Sequence, residues 1–182
     1  PAATAGLAMS SFTSQNYGAK RYDRIREGLH VCLSIALIAY VVLGSVMFFF
    51  PRALALLMLN GEESIALVVE FLPICGLMIW GVDSLFVFRN GCQGMGKPLI
   101  PMISGVAEMI MRIAAIVLLV NVVGFRATAY AEVAAWLVAL AMNFTAFEYH
   151  LRKEMKYIEI PEATGKKYHY KYNSDFFHRD II

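Results

Sequence analysis

The sequence predicts an all-α integral membrane protein with four transmembrane helices and the end of a fifth. Three observations carry that prediction. Of 182 residues, 59% are hydrophobic and only 16% charged, whereas a soluble domain carries about 25% charge. The apolar surplus is gathered into four blocks, each long enough to cross about 30 Å of hydrocarbon at 1.5 Å per residue. Lys and Arg concentrate between alternate blocks, as they do in a multi-pass chain.

Residues 1–14 are mildly apolar and read as the end of an earlier helix. The chain starts at Pro1 rather than Met and shows no charged n-region with a cleavage site, so it is expected to be a fragment without its N-terminal part. A polar loop, Gln15-Asn16-Tyr17-Gly18-Ala19-Lys20, follows. The first full block runs from about Leu29 to Phe50, carries no Lys, Arg, Asp or Glu, and ends in Phe48-Phe49-Phe50-Pro51. That reads as an aromatic interface followed by a stop. The second block, about Ile65 to Phe88, holds Glu70, Pro73 and Asp83. Arg89-Asn90-Gly91-Cys92-Gln93-Gly94-Met95-Gly96-Lys97-Pro98 reads as a loop. The third block, about Leu99 to Val123, holds Glu108 and Arg112; the fourth, about Ala127 to Tyr149, holds Glu132. Each block must be helical, because lipid offers a backbone no other hydrogen-bond partner. Residues 1–152 thus form a membrane domain and 153–182 a basic tail. Arg152 to Tyr157 is expected to continue the last helix. Beyond Pro161 the composition suggests a loose tail, either solvated or lying on anionic lipid.

Orientation follows from the cations. Lys20, Arg21, Arg24 and Arg26 precede the first block, Arg89 and Lys97 separate the second from the third, and seven more Lys and Arg follow the fourth. The opposite loops carry only Arg52 and Arg126. The positive-inside rule places the richer side, and both chain ends, in the cytoplasm; the expected location is the cell (plasma) membrane, multi-pass.

The ionisable residues inside the spans are the candidate functional residues, because charge is costly there. Glu108 and Arg112 stand four apart on one helix face in the favourable Glu-then-Arg order. Glu108 falls about 14 Å into its helix, near the midplane. The pair serves either as a structural ion pair or as a proton or cation relay in which Arg112 tunes Glu108. Asp83 sees no polar partner at helical spacing, so it is protonated, paired across helices or cation-bound. Glu132 shares a face with Trp136 and Asn143, the candidate cavity lining, although Glu132 is close enough to the outer end to reach headgroups. Glu70 reads as structural. The neighbouring face carries Ala127, Ala131, Ala135 and Ala139, a ridge suited to close helix packing. Pro73 and Gly76 predict a kink.

Other chemistries are disfavoured. The net charge of +2 and the membrane blocks give no nucleic-acid signal. Cys32, Cys75 and Cys92 form neither a disulfide framework nor a metal spacing. The glycines around Gly91 lack phosphate-loop spacing, and no Ser, His and carboxylate set converges inside the membrane. The protein is therefore not expected to be an enzyme, and no cofactor is implied.

Three stretches resemble a known family. Ser11-Phe12-Thr13-Ser14-Gln15-Asn16-Tyr17-Gly18-Ala19-Lys20-Arg21-Tyr22-Asp23-Arg24-Ile25-Arg26-Glu27-Gly28 looks like the cytoplasmic loop after the eighth helix of MATE (multidrug and toxic compound extrusion) transporters. Phe88 to Pro98 resembles the loop after the tenth helix. Ile100-Pro101-Met102-Ile103-Ser104-Gly105-Val106-Ala107-Glu108-Met109-Ile110-Met111-Arg112-Ile113 resembles the eleventh helix. The resemblance covers about residues 8–152 and is most like the DinF-type branch. It implies the end of helix eight and helices nine to twelve of a twelve-helix transporter, with an N-terminal lobe as partner. It also implies export of small cationic or amphiphilic compounds, coupled to Na+ or H+. Asp83 stands eight residues before Gly91, where one branch of the family has a cation-binding Asp, although that Asp is not general in the DinF-type branch. Val133 follows Glu132 where many relatives have Pro, implying a straighter last helix. A lipid-linked oligosaccharide flippase of the same superfamily and a non-transporting membrane scaffold are the rival readings.

Overall fold

The computed structural model describes residues 2–157, 159–161 and 167–169. Among the described residues, six helices occur in the order α1 (Ala2–Gly18), α2 (Tyr22–Phe49), α3 (Pro51–Met58), α4 (Glu62–Gly94), α5 (Leu99–Val123) and α6 (Arg126–Tyr157). Helices α2, α4, α5 and α6 are long and apolar enough to cross a membrane. They coincide with the four apolar blocks, and the protein is a multi-pass membrane protein. A short antiparallel ribbon pairs Glu159–Pro161 with Lys167–His169, which the expectation of a loose tail does not include. The rest of that tail lies outside the described residues.

The helices are longer than the apolar blocks because their ends are polar. Helix α1 runs through Gln15 to Gly18, and α2 already starts at Tyr22. The loop between them shrinks to a tight turn with Lys20 at φ 57°. Helix α4 extends to Gly94, so most of the glycine-bearing stretch after Phe88 is helix and not loop. Only Met95 to Pro98 turns, with Gly96 at φ +72°, a conformation that glycine adopts without strain. Pro51 ends α2 and also opens α3 at its first turn, where its missing N–H goes unneeded. The sequence reading places no helix at Pro51–Met58, because eight residues are too few to register as a span.

Packing is densest at the end of the bundle that holds the α1–α2 and α4–α5 turns. There Met9, Ile25, Leu29, Val87, Phe88, Cys92, Phe147 and Leu151 form one buried core drawn from α1, α2, α4 and α6. Phe88 stands edge-on to Phe144 at 5.2 Å and to Phe147 at 5.7 Å. Gly91 and Gly94 permit this packing. A Cβ on Gly91 would lie 2.6 Å from the Phe147 ring, and one on Gly94 would lie 2.6 Å from the Ser10 carbonyl oxygen. The motif's glycines are therefore contact points between helices.

The same end is tied polarly. The Tyr17 and Tyr22 hydroxyls donate to Glu154 at 3.0 and 3.4 Å. Burial, and then the Glu154 carboxylate, push the Tyr17 phenol up to about 12. Glu148 accepts from Arg26 at 3.2 Å and from Arg152 at 2.9 Å. At the opposite end Arg52 pairs with Glu62 and Arg126 with Glu70. Both cations counted against the positive-inside asymmetry are thus ion-paired, the second with Glu70.

Candidate functional site

Helix α5 packs chiefly on α6 and exposes most of its surface. Its inward stripe is Pro101, Ser104, Glu108, Arg112 and Ala115, spaced by three or four residues. The centre of that stripe is polar. On α6, Ala127, Ala131, Ala135 and Ala139 are all fully buried, so the expected alanine ridge is a packing face of that helix. Without a hydrophobic drive between helices in lipid, small residues allow the approach and polar residues hold it. Asn143 continues the ridge. It is 0% exposed and donates to the Ser104 hydroxyl at 2.7 Å and to the Ala139 carbonyl at 2.8 Å.

One turn further along α5 the charges form a chain. Arg89 on α4 donates to Glu108 Oε2 at 2.8 Å. Arg112 Nη2 donates to Glu108 Oε1 at 3.1 Å and to Glu132 Oε2 on α6 at 2.9 Å. Cation, anion, cation and anion alternate across three helices. The Glu108 side chain is the most enclosed of the four, at 16% exposure. Both its oxygens are occupied, so its charge is fully compensated. Arg112 reaches both carboxylates through a single nitrogen, so weakening either one changes its hold on the other.

Glu108 and Arg112 pair as their spacing predicts, and Glu132 joins them instead of reaching for headgroups. Trp136 sits one turn from Glu132 on the same face of α6, partly exposed. Asn143 lies further along α6, enclosed against α5.

Asp83 stands apart. It is 4% exposed, and its Oδ2 has no hydrogen-bond partner. It forms no ion pair among the described residues. Because α4 extends to Gly94, Asp83 lies eleven residues, or about 16 Å, inside its helix. That is deeper than a helix ending at Phe88 implies. Helical spacing puts it on the same face as Val87 and Gly91, which packs on Phe147 of α6.

Two members of this site escape the sequence reading. Arg89 looks like a loop charge because glycines follow it, yet glycine is common inside membrane helices. Ser104 precedes Glu108 by four and Arg112 by eight, and that face periodicity is the signal that marks it. A separate groove of about 270 Å³ between α2 and α4 is lined by Tyr40, Val41, Gly44, Ser45, Phe48, Phe49, Gly76 and Leu77. It includes none of the charged residues.

No curated protein matches in sequence. A solved structure described as the inward-facing conformation of a multidrug resistance MATE family transporter of the MOP superfamily superposes with a TM-score of 0.72 at 20% identity. The match covers 80% of this chain and 33% of that one, so the chain spans about a third of that protein's length. At this identity the likeness is one of fold. The MatE family model matches residues 1–124, through α5 and its Glu108 and Arg112, and the chain belongs to the MatE family.

Proposed function

We propose that this chain supplies the larger part of the C-terminal lobe, from the end of helix eight through helix twelve, of a cation-coupled exporter of small cationic or amphiphilic compounds. The observation that carries this reading is the alternating Arg89–Glu108–Arg112–Glu132 chain inside apolar helices of a MatE family member. Charge at such depth costs roughly 2.5–3.5 kcal/mol per residue on insertion scales, so its presence points to ion or substrate traffic. The solved structure of similar fold, a multidrug resistance transporter by its description, supports the reading. The basic end of the bundle faces the cytoplasm, as the loop cations require.

In this mechanism Asp83 is the carboxylate open to a coupling ion, since its Oδ2 is buried and unpartnered. Na+ or H+ at Asp83 removes the cost of an isolated buried charge and biases one of two conformations. The ionic chain sets how α4, α5 and α6 move relative to one another. Proton transfer to Glu132 removes one of the two anions that share Arg112 Nη2 and leaves Glu108 as its charged partner. A flippase for anionic lipid-linked sugars requires surplus cation in the cavity. Here both deep arginines are met by carboxylates, which favours export.

The deciding experiment is efflux of a fluorescent organic cation from cells carrying the full-length gene, with and without a sodium gradient or a protonophore. Efflux that collapses with one gradient supports the proposal and identifies the ion. Absence of efflux from an abundant, inserted protein refutes it.

A further inference from the structure

We propose that the basic end of the bundle binds the headgroup of an anionic phospholipid, held by Lys97, His150 and Lys153. Lys97 lies in the α4–α5 turn, while His150 and Lys153 stand three apart on one face of α6. Met95, two residues before Lys97, and Leu151, next to His150, enter one buried core, so the α4–α5 turn and this stretch of α6 lie together and both lysines act on His150. Neither lysine forms an ion pair among the described residues.

The acids at this end of α6 are committed elsewhere. Glu154, which also reaches His150, accepts the Tyr17 and Tyr22 hydroxyls. Glu148 accepts Arg26 and Arg152. Cations gathered without a counterion repel, and an anion between them removes that cost.

The surroundings identify the anion as a lipid. Helix α5 leaves the Lys97 turn with Leu99, Met102, Ile103 and Val106 all exposed, spaced as one apolar stripe. The stripe leads from headgroup level toward the hydrocarbon, where acyl chains lie. Tyr149 is exposed and stands edge-on to His150 at 5.3 Å. An aromatic of this kind, apolar in body and polar at its tip, belongs at a membrane interface. A phospholipid satisfies the cations and the stripe together. Free phosphate satisfies only the cations.

The test titrates the purified, delipidated full-length protein with dioleoyl phosphatidylglycerol, dioleoyl phosphatidylcholine or inorganic phosphate. Bound lipid is read by native mass spectrometry and stability by the thermal midpoint. The anionic lipid should bind more tightly than the zwitterionic one. K97Q/K153Q should weaken it more than about tenfold, since each cation near a lipid surface contributes roughly fivefold. K97R/K153R should retain it, and phosphatidylcholine binding should not change in either variant. Single K97Q and K153Q, each expected to lose about fivefold, read the same effect if the double variant folds poorly. Equal binding of the two lipids, or unweakened phosphatidylglycerol binding to the Gln variants, overturns the proposal. Stabilisation by inorganic phosphate equal to that by phosphatidylglycerol overturns the lipid assignment.

Discussion

Arg112 is the residue on which the site turns. Its Nη2 is shared between Glu108 at 3.1 Å and Glu132 at 2.9 Å, which ties α5 to itself and to α6. Glu108 in turn holds Arg89 of α4. Glu108→Gln should therefore leave Arg89 without its carboxylate partner and Arg112 with Glu132 alone. We expect a loss of about 2–3 kcal/mol, read as a lowered thermal midpoint in detergent, together with reduced efflux. Arg112→Lys keeps the charge but ends in a shorter, compact ammonium that does not span both carboxylates as well, and should recover only part of either property. Asp83 differs because its Oδ2 has no partner to lose. Asp83→Asn should leave the thermal midpoint unchanged or raise it, since an isolated buried charge disappears. Ion-coupled efflux should fall all the same. A midpoint that drops with Asp83→Asn would show that Asp83 is a structural hydrogen-bonding residue.

At the scale of the element, a narrow polar stripe holds α5 on α6, and α6 carries a buried alanine ridge. The ridge was legible in the sequence because four alanines recur at every fourth position. The polar rungs were legible only in part. Glu108 and Arg112 lie on one helix, so 3.6-residue periodicity pairs them. Arg89 and Ser104 meet their partners across helices, and no spacing rule spans a turn of unknown geometry. Ala135→Leu should push α6 off the helices packed on it, because position 135 is fully buried. The expected cost is about 1–3 kcal/mol, measured by thermal unfolding in detergent. Gly91→Val on α4 should cost a similar amount, since a Cβ there would meet the Phe147 ring at 2.6 Å. Both substitutions add apolar volume and so should leave insertion intact, which protease protection can verify.

At the scale of the whole molecule, the core sits at one end and depends on the last turns of α6. Phe147 and Leu151 enter that core, and Glu148 and Glu154 tie α6 to α1 and α2. A full-length protein truncated after Ala146 loses all four and should aggregate on size-exclusion chromatography. One truncated after Tyr157 keeps them and should elute as the intact protein does. The sequence by itself determined the number of spans, their order and the asymmetry of charge between the two ends. These follow from composition and from the price of placing polar backbone or charge in hydrocarbon, which act on each segment separately. The tertiary structure decided which charges meet, how deep Asp83 lies, and that the Gly91 stretch is helix packed on Phe147. Those depend on which faces of different helices touch. Helix–helix contact in lipid is set by side-chain shape and hydrogen bonds distant in sequence, which local periodicity does not encode.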